Sequence, residues 1–100
     1  MDYGKGLEKQ GKLLCQRVPL GSVIIGGGRR VPSPMSGWPD CVLIFPGGQF
    51  VGCEFKRPKK GKMRPSQLKF AERCRTLNIP CYRVESLNQF IAVVDRYIKT

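Results

Sequence analysis

The 100-residue chain contains no histidine and only seven acidic residues. Without an imidazole, Ser-His-Asp and Cys-His hydrolases, two-His zinc sites and histidine-based nucleases are excluded, so any catalysis falls to carboxylates, Lys, Tyr, Cys or a bound metal. The five cysteines, Cys15, Cys41, Cys53, Cys74 and Cys81, form no C-x-x-C pair and are odd in number. That argues against a zinc ribbon or a secreted disulfide scaffold and for reduced thiols acting as small hydrophobes. No apolar run approaches the roughly 18 residues of a membrane span, and the N-terminal MDYGKGLEKQ lacks the hydrophobic segment of a signal peptide. A cytoplasmic protein with no membrane partner is expected. Internal repeats and low-complexity tails are also missing.

What the chain has in excess is positive charge. Eighteen Lys or Arg give a formal net charge of +11 and a pI near 9.9. Half of those bases lie between residues 56 and 75, where Glu72 is the lone acid. A field focused in this way attracts a polyanion, and nucleic acid is the usual one. A chain of this length is expected to form one domain over residues 1–100, with a modest core that dimerisation would support.

Hydrophobic periodicity predicts a helix over about Asp2 to Val18, with Tyr3, Leu7, Leu14 and Val18 near one stripe and Gly4, Gly6 and Gly11 weakening it. Val23 to Ile25 is a short strand, and Gly26 to Pro39 reads as a loop whose GGG is no phosphate loop, because no G-K-[ST] follows. Asp40 to Phe45 and Phe50 to Lys56 are strands of a hairpin around Pro46, Gly47 and Gly48. A helix from Pro65 to about Leu77 turns Leu68, Ala71, Cys74 and Leu77 inward. Cys81 to Val84 is a strand. Ser86 and Gln89 form a capping box for a last helix that buries Phe90, Ile91, Val94, Tyr97 and Ile98. The order helix, strand, strand, strand, helix, strand, helix specifies a small mixed α/β domain.

Asp40 opens one hairpin strand, and Glu54 and Lys56 close the other. Glu54 and Lys56, two apart, share a face of the sheet at about 6.5 to 7 Å along the strand. A three-residue loop at Pro46 to Gly48 pairs Phe45 with Gln49 and sets Asp40 opposite Glu54; a two-residue loop would send Asp40 to the other face. Two acids on neighbouring strands make a hard oxygen site suited to Mg²⁺ or Mn²⁺, to which the Phe55 carbonyl could add a ligand. Such a site draws in a phosphodiester and activates a water. Lys56 would hold that water or neutralise charge building on phosphorus, and Gln67, in the first turn of the next helix, would orient Lys56 or the water. Glu8 is either an exposed acid beside Lys9 and Lys12 or an outer metal ligand.

Around this group, Arg57, Lys59, Lys60, Lys62 and Arg64 form a basic loop suited to phosphate contacts, with Arg29 and Arg30 as a second contact. Lys69, Arg73 and Arg75 fit the outer face of an ordinary helix equally well. Trp38 either stacks on a base or covers the core edge.

GWPD at 37–40, GGQFVGCEFKRPKKGK at 47–62 and RPSQLKFAERC at 64–74 together resemble the virus-type replication-repair nuclease (VRR-NUC) domain, a branch of the PD-(D/E)XK nuclease superfamily. The resemblance runs from Gly37 to Glu85, with the G-x-P-D, E-x-K and P-x-Q elements in order; before Gly37 only the helix bearing Glu8 fits. It implies an α/β fold with a four-stranded mixed sheet flanked by helices, and divalent-metal-dependent cleavage of DNA. It also implies that Asp40 and Glu54 bind metal, Lys56 is the catalytic lysine and Gln67 supports it. Short stand-alone members resemble phage or prokaryotic proteins acting as homodimers on branched DNA such as four-way junctions. The expected function is therefore a structure-selective DNA endonuclease in replication, recombination or repair. The alternatives are a non-catalytic basic nucleic-acid-binding module and an exonuclease or RNA-directed nuclease of the same superfamily. The presence of Asp40, Glu54, Lys56 and Gln67 together favours the enzyme over the module.

Overall fold

The computed structural model describes residues 2–19, 23–31, 33–56 and 64–98. Helix α1 (Asp2–Lys9) is shorter than its periodicity predicts. Gly11 adopts φ +72° two residues beyond it, a left-handed conformation that ends helices, and Leu14–Arg17 continues as strand β1. Burial here alternates with period two: Leu13 and Cys15 are buried, while Leu14 and Gln16 are exposed. Only Tyr3 and Leu7 of the expected helical stripe pack on the core from α1.

Strand β2 (Val23–Ile24) follows, then a short 3₁₀ turn at Gly26–Gly28 and strand β3 (Arg30–Val31). These two strands pair only with each other, in a separate sheet. The first strand of the main sheet is therefore β1, and not the expected Val23 to Ile25. The remaining elements are β4 (Cys41–Phe45), β5 (Gln49–Phe55), α2 (Pro65–Thr76), β6 (Cys81–Val84) and α3 (Leu87–Tyr97). The main sheet has the order β1-β4-β5-β6. Its first three strands are antiparallel and β6 runs parallel to β5. The result is a mixed four-stranded sheet flanked by helices, with its strands and the three helices in the expected αβββαβα order.

Strand parity divides this sheet into two different faces. One carries Cys15, Cys41, Leu43, Val51 and Cys53, each fully buried, and packs on α1 and α3. Tyr3 and Phe55 both meet the Phe90 ring edge-on. Burying a Leu or Val side chain contributes about 1.5–3 kcal/mol, so this face supplies most of the core. Cys15, Cys41 and Cys53 serve there as the small hydrophobes expected. On α3 the buried residues are Phe90, Val93 and Val94. Ile91 is only half-buried, and Tyr97 and Ile98 flank the core. Ser86 caps α3, its Oγ accepting from Gln89 N at 3.1 Å, and Gln89 Oε1 accepts from Glu85 N at 2.7 Å.

The opposite face carries Gly52, Glu54 and, in register across the parallel pair, Cys81 and Arg83. Helix α2 lies over it, rotated from its expected setting. Gln67 and Cys74 are buried, whereas Leu68 is 55% and Leu77 68% exposed. A glutamine takes the inward place because its amide has polar partners below it, described next. Cys74 Sγ meets Cys81 Sγ at 3.0 Å across the helix–sheet contact. No helix among the described residues is long and apolar enough to cross a membrane.

Candidate active site

The hairpin turn decides whether a site exists. Gly47 and Gly48 both adopt φ +90°, a conformation glycine takes without strain, and Gly48 N donates to Phe45 O at 3.0 Å. The loop has three residues, Phe45 pairs with Gln49 and Cys41 with Cys53. Extending that register by one residue sets Asp40 opposite Glu54, the alternative that brings the two carboxylates to one face.

Asp40 is fixed on both sides. Its backbone carbonyl accepts from Val18 N at 2.9 Å, just beyond β1, and its Oδ2 accepts from Phe55 N at 2.8 Å. In an extended strand a residue's N–H and C=O point to the same side, so the Phe55 carbonyl is also directed toward Asp40. Pro39 sits on Gly52, where a Cβ would come within 2.9 Å of the proline ring. The missing side chain at Gly52 is what lets the P-D step lie close to β5.

Glu54 is 5% exposed and has three polar neighbours. Gln67 Nε2 donates to its Oε1 at 2.8 Å, Lys56 Nζ lies 3.6 Å from the same oxygen, and the Asp40 carboxyl faces it from the neighbouring strand. Burial first, then the neighbouring Asp40 carboxyl, push the Glu54 carboxyl up to about 7, against the opposing pull of Lys56. Gln67 Oε1 accepts from Arg64 N at 2.9 Å, which fixes the amide with its NH₂ toward Glu54. Gln67 thus contacts the Glu54 carboxylate directly, where the sequence reading has it orient Lys56 or the water.

A folded-state value raised from 4.5 to about 7 means that the native protein holds this proton more tightly than the unfolded chain does. Stability from Glu54 is full below about pH 4.5 and is lost as pH rises through 7. In chelator, Glu54→Gln is expected to melt several degrees above wild type at pH 8 and close to it at pH 4.5. A variant less stable than wild type at pH 8 would mean that the Lys56 ion pair outweighs burial.

Glu8 lies apart from this group. Its Oε1 accepts from Cys15 N at 2.9 Å, which is the main reason its carboxyl sits below the usual range, and its Oε2 pairs with Lys5 Nζ at 3.3 Å. It lines a cleft with Phe45 and Pro46, at the turn end of the hairpin. Among the described residues no three His, Cys, Asp or Glu cluster as a metal cage. Two adjacent carboxylates nevertheless fit Mg²⁺ or Mn²⁺, because such ions commonly take one or two carboxylates and fill their remaining positions with water and substrate phosphate. Two like charges side by side are the charge that a bound cation would neutralise.

Arg57, Lys59, Lys60 and Lys62 lie outside the described residues. Arg64 is exposed at the start of α2, and Arg29 and Arg30 are exposed at and beside β3. Lys69, Arg73 and Arg75 occupy the outer side of α2, where Arg75 pairs with Glu72. Trp38 packs against Phe70 at 5.0 Å and Phe50 at 6.5 Å between ring centroids, so its indole covers the edge of the helix–sheet contact. Sequence reading passed over Arg83 and Glu85. Their R-x-E spacing on a strand was visible, but only the parallel register with β5 shows that Arg83 stands beside Glu54.

No protein-family model and no curated protein sequence matches the chain. Among solved structures, one described as a VRR_NUC domain is similar to it with a TM-score of 0.63 and 28% sequence identity, over 96% of this chain and 90% of its own. The likeness carried by the motifs from Gly37 to Glu85 thus extends to nearly the whole chain and to a nuclease-type fold.

Proposed function

We propose, from the fold it shares with a VRR_NUC domain, that this chain is a divalent-metal-dependent DNA endonuclease, selective for branched DNA such as four-way junctions and active as a homodimer. The observation that carries the reading is the buried Glu54 carboxylate, held by Gln67, paired with Lys56 and facing Asp40 across the hairpin. A structural hairpin has no use for a buried acid set beside a second acid, since burying it costs desolvation energy that an apolar residue would avoid.

Asp40, Glu54 and the Phe55 carbonyl would hold Mg²⁺ or Mn²⁺, which when bound polarises the phosphodiester and acidifies water. Gln67 keeps the Glu54 carboxylate in one orientation. Lys56 presents its ammonium to the attacking water or to the charge that develops on the phosphoryl oxygens. The basic residues 57–64 and Arg29 and Arg30 supply the sequence-independent attraction to DNA. Glu8 has no part in this arrangement of the metal site. A dimer supplies the second site that cleavage of both strands of a symmetric junction requires.

The test is cleavage of labelled linear duplex, flap and four-way-junction DNA with Mg²⁺ or Mn²⁺, with Asp40→Ala as control and sedimentation measured alongside. Metal-dependent cuts on the branched substrates, lost in Asp40→Ala, are expected. Binding without cutting under either metal would instead favour a nucleic-acid-binding module. A protein that remains monomeric with junction DNA would remove the dimer from the reading.

A further inference from the structure

The face that carries Glu54 and Lys56 continues onto β6, and its charges continue with it. Glu54 is in register with Arg83 across the parallel pair, and Lys56 N donates to Val84 O at 2.9 Å, which extends the same register toward Glu85. Parallel neighbours in register share a face, so E-x-K on one strand lies beside R-x-E on the next. Within each strand the basic side chain leans along its own strand toward the acid two residues away. Lys56 Nζ is 3.6 Å from Glu54, and Arg83 Nε is 3.4 Å from Glu85 Oε1. Lys56 therefore leans back from the strand end, and Arg83 leans forward to it. The two cations thus share one face of adjoining strands, at the carboxyl ends of the parallel pair of the sheet, which is where open α/β sheets receive ligands.

Arg83 also borders a cavity of about 200 Å³ with Glu54, Gln67 and Phe70. Its side chain is 38% exposed, open enough to meet a ligand yet tethered by Glu85. A planar guanidinium presents its N–H groups in a fork that matches two oxygens of a phosphate.

We infer that Arg83 is a second phosphate-binding residue of this site, positioned by Glu85, that grips the DNA phosphate next to the one facing Lys56. This rests on the nuclease reading of the Asp40–Glu54 pair. The assignment gives a role to a charge pair that the metal site leaves unused, and it gives the site a cation on each side of the path a DNA strand would follow.

The experiment is fluorescence anisotropy of labelled junction and duplex DNA in EDTA, where no cleavage occurs, for wild type, Arg83→Gln, Arg83→Lys and Glu85→Ala. Arg83→Gln is expected to weaken binding about three- to tenfold and to reduce the slope of log affinity against log salt by about one. Arg83→Lys should restore the slope but only part of the affinity, since an ammonium cannot make the fork contact. Glu85→Ala should keep the slope and lose affinity about twofold to threefold, because the charge remains while its tether is gone. Affinity and salt slope unchanged in both Arg83 variants, with melting curves like wild type, would overturn the assignment. Metal-dependent cleavage run in parallel separates the two readings. Weaker binding by Arg83→Gln in a protein that cuts nothing keeps Arg83 and removes the nuclease; cutting by a variant that binds as wild type does the reverse.

Discussion

Lys56→Met is expected to lower single-turnover DNA cleavage about a thousandfold while leaving the fold and metal-free DNA affinity within a few-fold of wild type. Methionine keeps most of the aliphatic stem, and the Lys56 side chain is only 16% exposed, so packing changes little. Two effects of the ammonium must be separated. Lys56 opposes the burial and the Asp40 charge that raise the Glu54 carboxyl to about 7; without it Glu54 keeps its proton to higher pH and competes less well for a cation. That part of the loss should recover when metal concentration or pH is raised. The remainder, owed to water activation or to charge neutralisation at the phosphoryl group, should not. Rates measured at saturating Mn²⁺ from pH 6 to 9 distinguish them. Full recovery would reduce Lys56 to an electrostatic support of Glu54, and a rate equal to wild type throughout would place the chemistry elsewhere.

The largest structural effect is expected at Gly37, the first residue of the GWPD element. Gly37→Ala should destabilise the protein by about 2–4 kcal/mol, a fall in Tm of roughly ten degrees or more for a chain of this size. Gly37 has φ +92°, and a Cβ there would come within 2.7 Å of the Ser66 carbonyl oxygen, an atom of the first turn of α2. Strain and clash add, and neither has a flexible side chain that can yield. The two groups most exposed to the resulting shift are Asp40, three residues downstream in the same loop, and Gln67, the neighbour of Ser66. Cleavage should therefore fall further than the folded fraction does. Thermal melts read with cleavage per folded molecule test this; a variant with wild-type Tm would show that the loop and α2 separate at little cost.

Sequence reasoning reached the site more fully than the sheet around it. Asp40, Glu54 and Lys56 were legible because strand parity is a local property, and one turn of known length, Pro46 to Gly48, fixes it across both strands. Gln67 was legible as a neighbour through its place after Pro65, but its contact with Glu54 was not, because the rotation of α2 depends on which side chains find partners beneath it. Leu68 was the stronger hydrophobic choice and is exposed. Strand β1 was hidden because Leu14 and Val18 fit a helical spacing with Tyr3 and Leu7, and nothing local outweighs that until Cys15 is seen beside Cys41, with the sulfurs 3.7 Å apart. Arg83 was unreadable for a third reason. A parallel pair has no connecting turn to count through, so its register is set by tertiary packing alone.

The division of the sheet into two unlike faces has a consequence for how this chain can change. Along β5, Val51, Cys53 and Phe55 answer to the apolar layer, while Gly52 and Glu54, with Lys56 just beyond, answer to the other side. The strand is thus two interleaved messages written in alternate letters, each read by a different set of neighbours. Residues that share no partners contribute independently, so volume can be redistributed among the odd positions, and chemistry revised among the even ones, with little need for either to wait on the other. The exception is Gly52, whose vacant side-chain volume is shared with Pro39 and Cys81; it is the letter at which the even message becomes structural.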